Sequence, residues 1–247
     1  MKLVLLPGMD GTGELFKGFL EYYEGDAKVI PLPMAGRQEY AALAGSLIKD
    51  LPNEEFILLA ESFSGGIVQY LLKHASDRIK GVIFVASFLS PPNRLLLQMA
   101  RRLPLQLLAG LPFSKYFHKA MFLGMNASDE FSDRFIQVLR SMPEQILKRR
   151  IKAMADMRAP AEKLEVPAIY IQAREDKLIN RKKWLEFQQL FKHIVLYQIP
   201  GPHFILQANP SVAAVVVSKG VSHLRSFADP LRLMARKMIV PCFFLLI

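Results

Sequence analysis

The apolar positions follow two patterns in turn. Short continuous apolar runs with turn residues on both sides fall at residues 2–6, 28–32, 56–60, 81–86, 166–172 and 193–199. Each suits a strand buried on both faces of a parallel sheet. Between them, apolar residues recur at helical spacing: to about Leu20, over residues 39–51, from Ile67 to Ala75, and over 181–191 and 210–221. Strand and helix in alternation predict an α/β fold, a mostly parallel sheet of about six strands with helices on both faces.

The rhythm breaks between Phe88 and Ala159. No strand is predicted there, and helical spacing runs through residues 95–108, 113–123, 129–139 and 143–157, punctuated by Pro91, Pro92, Pro104, Pro112 and Pro143. This reads as a helical insertion, basic outside and rich in Leu, Met and Phe inside. It would be either a subdomain packing on itself or a cap over a pocket. The organisation expected is a core of residues 1–88 and 160–222, an insertion at 89–159, and a basic then apolar tail at 223–247.

Composition narrows the classes. The chain has 247 residues, 51% hydrophobic and 22% charged, which argues against disorder and towards some apolar surface. The net charge is +10, and residues 91–160 hold twelve Lys or Arg against five Asp or Glu, so most of the excess is local. A basic face attracts any anion, including phospholipid surfaces and acidic metabolites. No helix-turn-helix, zinc or RNA-binding signature accompanies it, so nucleic acid is not expected as a partner. Cys242 is the single cysteine, which rules out an internal disulfide and fits a reducing, cytoplasmic compartment. The first ten residues do not read as a signal peptide. Residues 238–247 form an apolar stretch too short to span a bilayer. With the basic segment, it is compatible with burial on the protein, self-association or peripheral membrane contact.

Candidate chemistry centres on Ser62. The apolar run 56–60 stops at Ala60-Glu61-Ser62-Phe63-Ser64-Gly65-Gly66, and helical spacing follows. A serine on a sharp strand-to-helix turn needs small residues two positions before and after it, here Ala60 and Ser64. The same serine could instead simply cap the helix. After the first strand, Gly8, Gly11 and Gly13 give G-x-x-G-x-G. That differs from the dinucleotide spacing, and no acid ends the second strand. Such a loop can expose backbone N–H groups to an oxyanion.

Two further residue types fall where sites on parallel sheets collect, beyond the carboxyl ends of later strands. Glu175 and Asp176 follow the fifth run, and spacing alone does not separate them. His203 follows the last run in the rigid loop Pro200-Gly201-Pro202. Among the other histidines, His74 lies within a helix, His118 and His223 lie on basic helical segments, and His193 starts a strand at the opposite edge of the sheet. The order serine, acid, histidine suits a nucleophile whose proton an imidazole removes while a carboxylate holds the imidazole.

These stretches resemble the α/β-hydrolase fold serine hydrolases over about residues 2–88 and 160–220. Residues 3–13 look like that family's oxyanion loop, 58–66 its elbow, 173–179 its acid turn and 199–210 its histidine loop. The resemblance implies Ser62 as nucleophile, Asp176 as acid, His203 as base, and the Met9 and Phe63 amides as the oxyanion hole. It departs from the family in having Ala60 and Ser64 for glycine, Glu61 where histidine is frequent, and no counterpart of the first two strands. It further implies hydrolysis of a small-molecule carboxylic ester or thioester, with no metal or organic cofactor. Acyl transfer on the same fold, or a binding protein that keeps the fold without the chemistry, are the other readings.

Overall fold

The computed structural model describes residues 1–100, 102–103 and 114–228. The expected helical stretches at 104–108 and residue 113, and the apolar tail with Cys242, lie outside the described residues. Six strands form one sheet: β1 Lys2–Leu6, β2 Ala27–Val29, β3 Phe56–Glu61, β4 Ile79–Val85, β5 Ala168–Ala173 and β6 Ile194–Ile199. Their order is β2-β1-β3-β4-β5-β6, and every neighbouring pair is parallel.

Each expected strand is present, and the shifted ends have local causes. β2 stops at Val29 because Pro31 and Pro33 bring no N–H to the ladder. Leu32 N instead donates to Gly11 O at 2.8 Å and pins the glycine loop. β4 starts two residues early because a register shift against Phe56 and Ile57 absorbs Lys80. β5 starts after Pro167, whose carbonyl still accepts from Val82 N.

Side chains alternate between the two faces of the sheet. Val4, Leu58, Val82 and Phe84 meet Leu43, Leu71 and Phe187 on one side. Leu3, Ile57, Leu59 and Ile83 meet Phe19, Val217 and Leu224 on the other. Helices Tyr40–Leu47, Gly65–Ala75 and Lys183–Leu190 serve the first face, and Lys17–Tyr22 and Pro210–Ala228 the second. The last helix runs on past Val221 to Ala228. His193 immediately precedes β6, the strand that leads to His203, so it sits at the opposite end of that strand rather than at the opposite edge of the sheet. No helix among the described residues is long and apolar enough to cross a membrane.

The chain runs outward from β1 to β2 and returns past β1 to β3, so the sequence order reverses between β1 and β3. Crevices form at such switch points beyond the carboxyl ends of the strands. Leu6 pairs with Ala60 there, which sets the glycine loop beside the Ser62 turn.

The stretch between β4 and β5 contains helices Arg94–Ala100, Ser114–His118, Asp129–Ser141 and Glu144–Asp156, with a π-helical turn at Lys119–Leu123. Ser128 caps the third by accepting from Phe131 N at 3.1 Å. The expected division into a basic outside and an apolar inside is corrected at both surfaces. Leu95, Leu96, Met99, Tyr116 and Met125 are exposed, whereas Arg150 and His118 are buried. A helix such as Arg94–Ala100, apolar nearly all round, cannot bury every face against one neighbour. In Glu144–Asp156 the inward stripe is Ile146, Leu147, Arg150, Ile151 and Met154, so helical period carries the arginine inside. That stripe joins the same core as the sheet, so the segment does not pack on itself alone.

Candidate active site

Ser62 lies immediately beyond β3 with φ of +47°, in the left-handed region that non-glycine residues rarely adopt. The turn carries backbone strain, as a strand-to-helix elbow does, and the surroundings hold it in place. The buried Ser87 hydroxyl donates to the carbonyls of Ala60 at 2.9 Å and Ser62 at 3.1 Å. Tyr170 donates in turn to Ser87 O at 2.9 Å. A Cβ on Gly65 would meet the Ser87 side chain at 2.8 Å, which explains the glycine there. Ser64 stands where glycine is usual, and its hydroxyl donates to Pro7 O, tying elbow to glycine loop. The substitution therefore has a structural use.

The structure brings Ser62, His203 and Asp176 together. His203 Nε2 lies 2.9 Å from Ser62 Oγ, and Nδ1 lies 2.7 Å from Asp176 Oδ2. Both the imidazole and the carboxylate are 3% exposed. The loops that carry them are joined, since Arg174 N donates to Ile199 O and Glu175 N to Gly201 O, each at 2.9 Å. Asp176 Oδ1 accepts from the amides of Leu178 and Ile179, which fixes the carboxylate. Glu175 points to solvent, so spacing leaves two acids and geometry leaves one. Burial works to lower the His203 pKa, but the charge and hydrogen bond of Asp176, with the charge of Glu61, outweigh it and hold it above the ordinary 6.5.

The glycine loop is shaped by a buried arginine. Arg150 is fully buried and donates to Met9 O at 2.7 Å, Pro33 O at 2.9 Å and Gln38 Oε1 at 2.8 Å. Its guanidinium also lies 6.0 Å from the Phe63 ring centroid. Gly11 has φ of +71°, and a Cβ there would fall 2.2 Å from an Arg150 nitrogen. The glycine spacing thus belongs to a loop folded around a cation. Asp10 Oδ2 accepts from Thr12 N at 2.9 Å and Thr12 Oγ1 at 2.7 Å, a local turn that fixes the loop's far side. Burial pulls the Arg150 pKa down to about 10, with Asp10 opposing, so the group stays charged at neutral pH. Met9 lies on this loop, and Phe63 in the first turn of the helical stretch after Ser62. Amides at a helix start lack intrahelical partners and are oriented towards negative charge.

Glu61 is buried next to Ser62. Burial pushes its pKa up to about 7 with help from Asp10, against the Gln207 hydrogen bond, the His203 charge and the Gly8 amide. Gln207 Nε2 donates to Glu61 Oε1 at 2.9 Å. Glu61 thereby connects the glycine loop to the histidine loop. The sequence reading missed Glu61, Arg150, Ser87 and Gln207 as parts of the site. For Arg150 a signal existed, because it falls in register with Ile146, Leu147 and Met154. Ser87 and Gln207 have no comparable mark.

Ser62 and His203 open into a cavity of about 660 Å³. Its wall is mainly apolar, with Leu97, Phe135, Val138, Leu147, Ile151 and Met154 contributed by the helical segment. Among the described residues no cluster of His, Cys, Asp and Glu could hold a metal ion. A hydroxyl beside an imidazole, itself held by a carboxylate, can act as a nucleophile on a carbonyl carbon.

The model of a known family, the serine aminopeptidase S33 family, matches residues 37–197. The chain belongs to that family. The S33 match includes Ser62 and Asp176 but ends before His203 and begins after the glycine loop. No match is found among curated proteins. Solved structures extend the likeness to nearly the whole chain. A hydrolase from Pseudomonas aeruginosa PA01 is 18% identical over 87% of this chain and 88% of that one, with a TM-score of 0.70. An enol-lactonase from Burkholderia xenovorans LB400 is 14% identical over 88% and 90%, with a TM-score of 0.74. A thermophilic esterase from Thermogutta terrifontis is 15% identical over 91% and 90%, with a TM-score of 0.71. At these identities the likeness is one of fold, and this S33 family member has the α/β-hydrolase fold.

Proposed function

We propose that the protein is a serine hydrolase that cleaves carboxylic esters or thioesters through an acyl-enzyme. The observation that carries this reading is His203, placed between Ser62 Oγ and the Asp176 carboxylate at the floor of an apolar cavity. Ser62 attacks the carbonyl carbon while His203 takes its proton, and Asp176 stabilises the imidazolium. The Met9 and Phe63 amides receive the tetrahedral oxyanion. Collapse expels the alcohol or thiol with the proton from His203. A water then attacks the acyl-enzyme by the same route and frees Ser62. Arg150 acts through Met9 as a positioning residue, and the helical segment serves as a cap whose apolar wall holds the acyl part.

The cavity chemistry favours esters over peptides with a free amino terminus. Its only carboxylate among the described lining residues is Asp10, already engaged by Thr12. A second reading, acyl transfer to an added alcohol, requires the apolar wall to keep water from the acyl-enzyme.

Wild-type protein is expected to hydrolyse p-nitrophenyl esters and to be labelled by a fluorophosphonate, with both lost in Ser62→Ala. Folded wild-type protein inert to both would end the proposal. The ratio of hydrolysis to ester exchange in added alcohol separates the two readings.

A further inference from the structure

One buried polar side chain in the cavity has no use in this mechanism. His118, expected on a basic helical segment, is 4% exposed and contributes to the cavity wall. Its Nδ1 is buried without a hydrogen-bond partner. Its neighbours are rings: Phe135 at 5.4 Å, Phe122 at 5.8 Å and Phe117 at 6.0 Å between centroids. Immediately after it the chain makes the π-helical turn Lys119–Leu123, a distortion that is rare and recurs at functional sites.

The path from His118 to the reacting groups is also on the wall. Phe135 contacts Phe204 at 5.1 Å, and Phe204 contacts His203 at 5.2 Å. An aromatic face therefore runs from one histidine to the other. Burial lowers the His118 pKa, so the ring is neutral, with one donor nitrogen and one acceptor nitrogen; Nδ1 is closed to a water-sized atom, so a ligand meets the ring at Nε2. A carboxylate would carry its charge into a wall that has no lysine or arginine among its described residues. A hydroxyl or carbonyl oxygen asks for no charge.

We propose that His118 is a distal subsite that binds an uncharged oxygen, a hydroxyl or keto group, carried on the acyl chain whose carbonyl reacts at Ser62. The substrate class is then oxygenated acyl esters or thioesters rather than plain alkyl ones. This rests on the ester reading above. The aromatic face guides the intervening carbons, and His118 sets the spacing between the two oxygens.

The test uses the Ser62→Ala protein, which cannot turn substrate over, titrated calorimetrically with methyl esters of alkanoic acids and of their ω-hydroxy counterparts, six to twelve carbons long. In an apolar cavity without a partner, the hydroxylated ester binds more weakly than its parent at every length. With His118 as partner, it binds about tenfold more tightly than its parent at one preferred length. Adding His118→Phe reverses that preference, and adding His118→Gln, which keeps a donor and an acceptor, retains it. A weaker hydroxylated ester at every length, or the same preference in His118→Phe, overturns the subsite. Hydroxyl preference in Ser62→Ala, with wild-type protein inert to esters and fluorophosphonate, keeps the subsite and removes the ester reading. Hydrolysis without the preference removes the subsite alone.

Discussion

The loops at the strand ends and the helical segment above them are built on different rules. Ser62, Asp176 and His203 each follow a strand, and the ladder fixes where that strand ends. Their side chains meet because β5 and β6 are neighbours and because Ser87 and Tyr170 hold the elbow from the strands between. The helical segment has no ladder. It is held by its apolar stripe and by Arg150, and it leaves several large apolar side chains in solvent. The sheet thus fixes where the three side chains meet, while the segment supplies much of the cavity wall beside them, through residues free to change without disturbing a strand.

The largest expected effect breaks the comparison on the sheet side. Ser62→Ala and Asp176→Asn should each lower kcat by about 10⁴-fold or more, whereas Glu175→Ala should leave steady-state kinetics within about twofold of wild type, as expected of a surface change.

Arg150 is where the two regions touch, and its removal is next in size. Arg150→Met should lower kcat by about 10²-fold with KM little changed, the size of losing one oxyanion donor. Arg150→Lys should recover part of that loss. Arg149→Met, one position along and exposed, should keep wild-type kcat. An equal loss at both positions would mean that the segment contributes bulk rather than a specific bond.

The strand-end region also has a pH signature. Glu61 is raised from 4.5 to about 7 in the fold, so its protonated form contributes stability that is full below 4.5 and lost as pH rises through 7. That shift corresponds to roughly 3 kcal/mol. His203, raised above 6.5, loses its contribution in the same direction as pH rises. Activity runs the other way, because His203 must be neutral to act as base, so the acid limb of kcat/KM should lie above 6.5. Glu61→Gln should flatten the fall of Tm between pH 4.5 and 7 and move the acid limb to lower pH, since the Glu61 charge helps to raise His203.

The smallest effect probes the tie between elbow and glycine loop. Ser64→Ala removes the hydrogen bond to Pro7 O and should cost about 1 kcal/mol in urea unfolding, with its larger share in kcat if the tie orients Met9.

The same division explains what the chain's pattern could reveal. Strands buried on both faces appear as continuous apolar runs, so all six were legible, and their ends moved by more than one residue only where Pro31, Pro167 or the register shift at Lys80 intervened. Ser62, Asp176 and His203 were legible through their order after those runs. Asp176 could not be told from Glu175, because two neighbouring turn carboxylates one methylene apart are separated only by where the backbone aims them. Arg150 was hidden by company: in Lys148-Arg149-Arg150 charge suggests a solvated face, and only the phase of the helix turns the third residue inward. His118 was passed over for the same reason. Glu61 was visible as an oddity, but its raised pKa comes from burial and from Asp10, neither of which spacing reveals.

The bonds from Arg150 to Met9 and from His203 to Ser62 each span 141 residues. At synthesis rates of about 5–20 residues per second, each later partner is made on the order of ten seconds after the earlier one. Ser62 therefore emerges without His203, and the glycine loop emerges without the cation that shapes it. Under the proposed mechanism the nascent chain is silent until most of it has been made, because Ser62 has neither its base nor its cavity before then.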